Sequence, residues 1–158
     1  MQLNQNNLRF IVEKEPSAYT IKQLVSMVQA YEGEYFTDFA DGVRIDAPFQ
    51  RLCFLQSVDE IVSAIMFTCL DGYPHITVMV TKRGCQNQGY GKILMNYFVA
   101  YVSQLGFHGI ELYAWSEKTK PICASTQAFY KSVGFEVEGE HMGLWAPGMI
   151  TVKMKKSW

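Results

Sequence analysis

The sequence predicts a mixed α/β fold in which helices cover both faces of one sheet. Short alternating or continuous apolar segments, typical of strands, occur along the chain. Between them lie longer segments whose apolar residues recur at helical spacing. The 158 residues are enough for one domain with a substantial core, and no repeat or low-complexity tract divides them. We therefore expect a single domain over residues 1–158.

The first part of the chain is predicted to form a strand followed by two helices. The strand is expected at residues 8–12, and Ser17 is placed to open the first helix. Residues 32–47 are acidic and aromatic and predict a short second helix. Asp41 and Gly42 form a dipeptide typical of turns, so we expect a loop there.

Three further strands are predicted to form a meander. The turn segment at residues 57–60 joins the first two, and Asp71-Gly72 joins the second to the third. Cys53 and Cys69 lie in the apolar segments and are expected to be in the core. The three strands are expected at residues 52–56, 61–69 and 75–80.

The remaining elements are two helices and three strands. A long helix follows the meander and is predicted to end at Gly106. A second helix begins at Pro121 or Ser125 and is predicted to end at Gly134, a favoured residue just past a helix end. Strands are expected at residues 110–115, 135–140 and 150–155.

A polar loop with three glycines connects the third meander strand to the long helix. Backbone N–H groups point outward at a helix N-terminus, and the helix dipole favours negative charge, so this loop is a candidate anion site. Tyr90 stands where the Walker pattern requires lysine, and Leu94 where the dinucleotide pattern requires its third glycine. Both of these phosphate motifs are therefore rejected.

The pattern that fits is Gln/Arg-x-x-Gly-x-Gly/Ala, with Gln86, Gly89 and Gly91 in its fixed positions. This pattern resembles the acetyl-CoA loop of the GNAT superfamily of N-acetyltransferases. Residues 125–135, Ser-Thr-Gln-Ala-Phe-Tyr-Lys-Ser-Val-Gly-Phe, resemble the later signature of the same superfamily. The predicted element order also matches, so the resemblance covers essentially the whole chain.

The resemblance implies a GNAT-type, mostly antiparallel twisted sheet and acetyl-CoA as co-substrate. In this family the loop amides bind the pyrophosphate, and the exposed backbone of the preceding strand pairs with the pantetheine. Ser125 stands where the family often has asparagine. The residues implied to bind the cofactor are Met79, Val80, Gln86, Asn87, Gln88, Gly89, Tyr90, Gly91, Lys92 and Ser125.

Two side chains are candidates for proton transfer. Tyr130 matches the family tyrosine that protonates the departing thiolate. His75 is the titratable residue on the strand before the loop, and an imidazole is well tuned to act as a base at neutral pH. Glu34, Asp38 and Glu111 remain alternatives for the base.

The resemblance implies that the acceptor enters between residues 32–41 and residues 141–148. Tyr73, Tyr113 and Trp115 could line the same cleft or belong to the core. We expect direct acetyl transfer to a primary amine of a small molecule. A protein or peptide N-acetyltransferase and a non-catalytic acyl-CoA-binding module remain alternatives.

Composition limits the partners and the compartment. A net charge of −1 argues against a dedicated nucleic-acid binder. No apolar run approaches the roughly 20 residues that span a bilayer, and the polar N-terminus is unlike a signal peptide. The four cysteines lack metal-ligand spacing, so we expect reduced thiols, no metal site and a cytoplasmic protein. Dimers are common in the family, so the resemblance also allows a homodimer.

Overall fold

The computed structural model describes residues 7–35 and 39–158, and these residues form seven strands and four α-helices. The strands are β1 (Leu8–Glu13), β2 (Arg51–Ser57), β3 (Glu60–Leu70), β4 (Tyr73–Thr81), β5 (Gly109–Trp115), β6 (Glu136–Met142) and β7 (Ile150–Ser157). The α-helices are α1 (Ala18–Gln29), α2 (Phe39–Asp46), α3 (Tyr90–Gln104) and α4 (Ala124–Ser132).

The strands form one sheet in the order β1-β2-β3-β4-β5-β7-β6. The β1–β2, β2–β3, β5–β7 and β6–β7 pairs are antiparallel, and the β4–β5 pair is parallel. The predicted mixed, mostly antiparallel sheet is therefore confirmed. The chain comprises two compact units. The first contains the described residues up to Thr68 together with Thr77–Tyr101, and the second contains Cys69–Ile76 and Val102–Trp158.

In the first unit, α1 and α2 pack on strands β2, β3 and β4. The Ser17 side chain accepts a hydrogen bond from the Thr20 amide at 3.1 Å and caps α1, as predicted. Leu24 and Val28, one turn apart, are completely buried. Because such burial stabilises by about 2 kcal/mol per side chain, this apolar stripe determines which face of α1 packs inward.

The predicted loop at Asp41 and Gly42 is wrong, because α2 runs through both residues. Asp41 lies in the first turn of α2 and forms an ion pair with Arg44 three residues later. Ala40 and Val43 are buried at helical spacing on the same helix. Packing of this apolar face outweighs the roughly 1 kcal/mol that glycine costs in a helix.

In the second unit, α4 ends as predicted. Gly134 has a φ of +96°, which favours glycine, and the Phe135 amide reaches back to the Tyr130 carbonyl at 3.0 Å. Phe135 is 2% exposed. Lys156 of β7 also donates a hydrogen bond to the Val133 carbonyl at 2.8 Å, so the last strand holds this helix end.

Both predicted meander turns are confirmed. Val58 lies in the turn between β2 and β3 with a φ of +56°, and Asp71 and Gly72 have φ values of +52° and +82° in the turn between β3 and β4. The core prediction holds for Cys53 but is wrong for Cys69, which is exposed near the end of β3. No helix among the described residues has the length and apolar character needed to cross a bilayer.

Candidate active site

The segment between β4 and α3, residues 82–89, is called the cofactor loop below. Three of its residues have positive φ: Gly84 at +92°, Asn87 at +57° and Gly89 at +86°. Apart from its chain neighbours, no atom of the described residues lies within 4 Å of a Cβ built on Gly89, so the space above this residue is open. The loop therefore requires glycine at position 89 for its backbone conformation and leaves room there for a ligand.

The loop presents a run of unpaired backbone amides. The Gly89 carbonyl accepts the first helical hydrogen bond of α3, from Ile93 at 3.0 Å. Within the described residues, no backbone carbonyl accepts a hydrogen bond from the amides of residues 86–92. The first amides of a helix lack intrahelical partners and attract anions, so this run suits a phosphate group.

The side chain of Gln88 braces the loop from within. Its Nε2 donates a hydrogen bond to the Gly84 carbonyl at 3.2 Å. Its Oε1 is buried and has no hydrogen-bond partner among the described residues. An unpartnered buried acceptor beside a row of free amides fits a site completed by a polar ligand.

Met79 and Val80 lie near the end of β4, just before the cofactor loop. The parallel ladder between β4 and β5 consists of two residue pairs, His75 with Glu111 and Ile76 with Leu112, and it ends there. Val80 is buried, whereas Met79 is partly exposed. The backbone at Met79 and Val80 lies beyond the last residue pair of the β4–β5 ladder.

The two cations at the start of the loop are held by carboxylates. Lys82 forms an ion pair with Glu60 of β3. Arg83 donates a hydrogen bond to Glu34 at 2.5 Å. Lys92, in the first turn of α3, is exposed and forms no ion pair with any described residue.

Tyr130 and Ser125 belong to the second unit, on α4. Tyr130 is 7% exposed, and its ring contacts the rings of Phe129 and Phe135 with centroids 5.4 Å apart in each case. Burial raises the pKa of the Tyr130 phenol, so the phenol keeps its proton at neutral pH. Ser125 is exposed in the first turn of α4, and its hydroxyl donates a hydrogen bond to the Ile122 carbonyl at 3.0 Å.

His75 is also in the second unit and begins a row of three rings, called the ring row below. Its ring lies 5.3 Å from the Tyr113 ring, which lies 5.6 Å from the His141 ring. His75 is buried, Tyr113 half-buried and His141 exposed. Burial is the largest effect on the pKa of His75 and lowers it. The neutral imidazole is therefore the dominant form at pH 7.

The alternative bases differ in their surroundings. Glu34 is held by Arg83. Glu111, whose side chain is 8% exposed, lies 3.3 Å from Lys153 and 4.0 Å from Lys155. Asp38 lies outside the described residues, as does Phe36 of the acidic and aromatic segment. Both described alternatives are thus engaged in ion pairs.

Aromatic residues predicted to line the acceptor cleft occur in the second unit. The Trp115 ring meets the Trp145 ring edge to face at 4.9 Å. Lys155 lies 4.1 Å from the ring centre of Tyr73. Trp145, in the segment between β6 and β7, is exposed.

The sequence reasoning missed the role of Tyr31. This tyrosine follows α1, is buried, and donates a hydrogen bond from its hydroxyl to the Thr81 carbonyl at 2.6 Å. Thr81 is the last residue of β4, immediately before the cofactor loop. Fifty positions separate the two residues, so no local pattern could have indicated this contact.

This sheet topology, with a glycine-bearing loop at the N-terminus of α3, is that of a mixed α/β domain with a candidate anion site. The GNAT acetyltransferase domain model matches residues 49–137, more than half of the chain, and the chain belongs to this family. It is therefore an acyltransferase. Several matching structures hold acetyl-CoA or CoA.

Solved structures share the fold at low sequence identity. A GNAT-family protein from Desulfovibrio desulfuricans has a TM-score of 0.80 at 15% identity, covering 94% of this chain and 99% of its own. The ribosomal-protein-S18-alanine N-acetyltransferase from Escherichia coli has a TM-score of 0.73 at 10% identity, covering 94% of each chain. An aminoglycoside 6′-N-acetyltransferase complexed with CoA has a TM-score of 0.70 at 18% identity, covering 93% and 96%. No curated protein matches the chain.

Proposed function

We propose that this enzyme transfers the acetyl group of acetyl-CoA directly to a primary amine of a small molecule. The observation that carries the proposal is the run of unpaired amides over residues 86–92 at the start of α3. These amides and Lys92 would hold the pyrophosphate. The backbone of Met79 and Val80, with Ser125 on α4, would contact the pantetheine.

The two proton transfers fall to Tyr130 and His75. Acetyl-CoA supplies an acetyl group activated as a thioester. Tyr130, whose pKa is raised by burial, stays protonated and is available to donate a proton to the sulfur. His75, whose pKa is lowered by burial, stays neutral and can accept a proton from the amine.

The acceptor class rests on two neighbours. The aminoglycoside enzyme supports a small polyamine-like acceptor. The S18-alanine enzyme, which the chain matches over 94% of both lengths, favours the second candidate, a protein or peptide N-acetyltransferase. The acidic residue Glu32 favours a cationic acceptor by charge. Four free cysteines support a cytoplasmic location.

The test is the shift of the thermal midpoint caused by acetyl-CoA, in wild type and in Gly89→Gln. At about 100 times its Kd, a ligand adds roughly 2.7 kcal/mol to the native state, which is a rise of several degrees. We expect this rise in wild type and its loss in the variant, because glutamine at a φ of +86° both strains the loop and fills the open space.

The matched control is Gly72→Gln. Gly72 has a similar φ of +82° and equally open surroundings, but it lies in the turn between β3 and β4. This variant should lose intrinsic stability and keep the acetyl-CoA shift. Absence of any shift in wild type over a wide range of acetyl-CoA concentration would overturn the proposed site. A panel of aminoglycosides, polyamines and alanine-starting peptides, assayed by CoA release, then identifies the acceptor class.

A further inference from the structure

We propose that Arg83 is a positioning residue that fastens the cofactor loop to the segment after α1. In this role it does not bind the phosphates of the cofactor. The inference rests on the proposed function. Arg83 Nη2 donates a hydrogen bond to Glu34 Oε1 at 2.5 Å, and the guanidinium carbon lies 4.8 Å from the ring centre of Tyr31. The guanidinium is thus held by a carboxylate and by an aromatic ring.

The surface under Arg83 is itself anchored. Tyr31 is 4% exposed, and its hydroxyl donates to the Thr81 carbonyl at the end of β4. Its ring also meets the Tyr35 ring edge to face at 5.9 Å. Tyr31 thus contacts both Thr81 at the end of β4 and Arg83 in the loop. The segment at residues 31–35 therefore holds the start of the loop through two contacts.

A second set of contacts holds Lys82, the residue before Arg83. Lys82 forms an ion pair with Glu60, and its amide donates to the Val62 carbonyl at 2.9 Å. Both cations at the start of the loop are therefore occupied by carboxylates of the protein. Lys92, in the first turn of α3, has no ion pair within the described residues and is left as the cation for a phosphate.

This arrangement divides two tasks among the three cations Lys82, Arg83 and Lys92. Arg83 and Lys82 hold the backbone in the conformation that presents the amides of residues 86–92. The amides and Lys92 then meet the negative charge. Fixing a loop in its binding conformation before the ligand arrives lowers the entropy cost of binding. The ties at residues 82 and 83 therefore contribute to acetyl-CoA affinity without contacting it.

The decisive variant is Glu34→Gln, measured by calorimetric titration with acetyl-CoA. If Arg83 fastens the loop, removing its carboxylate weakens binding, and we expect an affinity about fivefold lower. If Arg83 instead binds phosphate, the same change releases the guanidinium from its competitor, so affinity rises or stays constant. A rise or an unchanged affinity overturns the proposal.

A charge exchange supplies the second test. The single variant Arg83→Glu should bind acetyl-CoA more weakly whether Arg83 fastens the loop or binds phosphate. In the double variant Glu34→Arg with Arg83→Glu, fastening predicts recovery toward wild type, because the pair is restored with its charges reversed. If residue 83 instead contacts phosphate, the acetyl-CoA affinity should not recover, because position 83 still carries a negative charge. No recovery in a double variant that melts like wild type would overturn the proposal.

The control is Glu140→Gln. Glu140 forms a similarly exposed ion pair with Lys118 in the second unit, and its removal should leave acetyl-CoA affinity unchanged. The wild-type titration distinguishes a failure of the proposed function from a failure of the role proposed for Arg83. Wild type that does not bind acetyl-CoA refutes the proposed function, whereas wild type that binds and Glu34→Gln that binds equally well refutes only the role of Arg83.

Discussion

The cofactor loop and the ring row are built from different parts of the chain. The loop depends on backbone conformation within one continuous segment, where Gly84, Asn87 and Gly89 supply the positive φ values. The ring row depends on side chains from β4, β5 and β6, whose sequence positions are widely separated. A backbone site of this kind tolerates changes in most side chains but not in its glycines. A site built from side chains instead depends on the identity of those side chains.

The largest expected effect is that of Tyr130→Phe, which changes one side chain outside the cofactor loop and the ring row and so tests whether a single side chain can carry a catalytic role. Loss of the phenol removes the proposed proton donor and should lower turnover about a hundredfold, since general acid catalysis contributes at least that much. Acetyl-CoA affinity should stay nearly constant. Turnover with an accepted amine is measured by CoA release. The control is Tyr97→Phe on α3, an exposed tyrosine stacked on Phe10, and equal turnover in the two variants would remove Tyr130 from the mechanism.

A smaller effect is expected in the pH dependence of stability at His75. Burial lowers its pKa below the ordinary value of about 6.5, while Glu111 and Asp71 oppose that shift and Lys153 adds to it. As pH falls below that value, the unfolded chain takes up a proton that the folded state does not, so the free energy of unfolding falls.

Glutamine cannot titrate, so His75→Gln should lose less stability than wild type between about pH 7.5 and 5. Urea unfolding at several pH values measures the difference. The exposed His108 provides the control variant His108→Gln, which should follow the wild-type slope. A slope in His75→Gln that equals the wild-type slope would contradict the buried, neutral His75 of the ring row.

The smallest expected effect tests Lys92, the side chain proposed to contact the phosphate through its charge. Lys92→Gln should weaken acetyl-CoA binding about threefold, which is typical of an exposed ion pair. The loss should shrink as ionic strength rises from about 0.01 to 1 M, because salt screens exposed charges. Lys22→Gln on α1 is the matched exposed control. A loss that does not respond to salt would show that Lys92 acts through packing.

Local features of the sequence predicted most of the fold and the loop. The Ser17 cap, the turn at Asp71-Gly72 and the helix stop at Gly134 each depend on residues within a few positions, and each was confirmed. The loop at Asp41-Gly42 was wrong, because packing of Ala40 and Val43 decides that segment and cannot be read from a dipeptide.

The contacts around the candidate site could not be predicted in the same way. Which face His75 presents depends on register, and its contact with Tyr113 joins strands far apart in sequence. The contacts of Tyr31 with Thr81 and Arg83 join residues about fifty positions apart in the sequence. Only the fold brings such pairs together, so their roles follow from the structure.

The position of β7 has a consequence for biosynthesis. This strand is the last in the chain, yet it lies between β5 and β6 and pairs with both along most of its length. During synthesis the N-terminal part of a chain leaves the ribosome first. On the ribosome, β5 and β6 emerge before the strand that joins them, so this part of the sheet is completed only after β7 has been synthesised, whereas the β1–β2–β3 pairings are available much earlier.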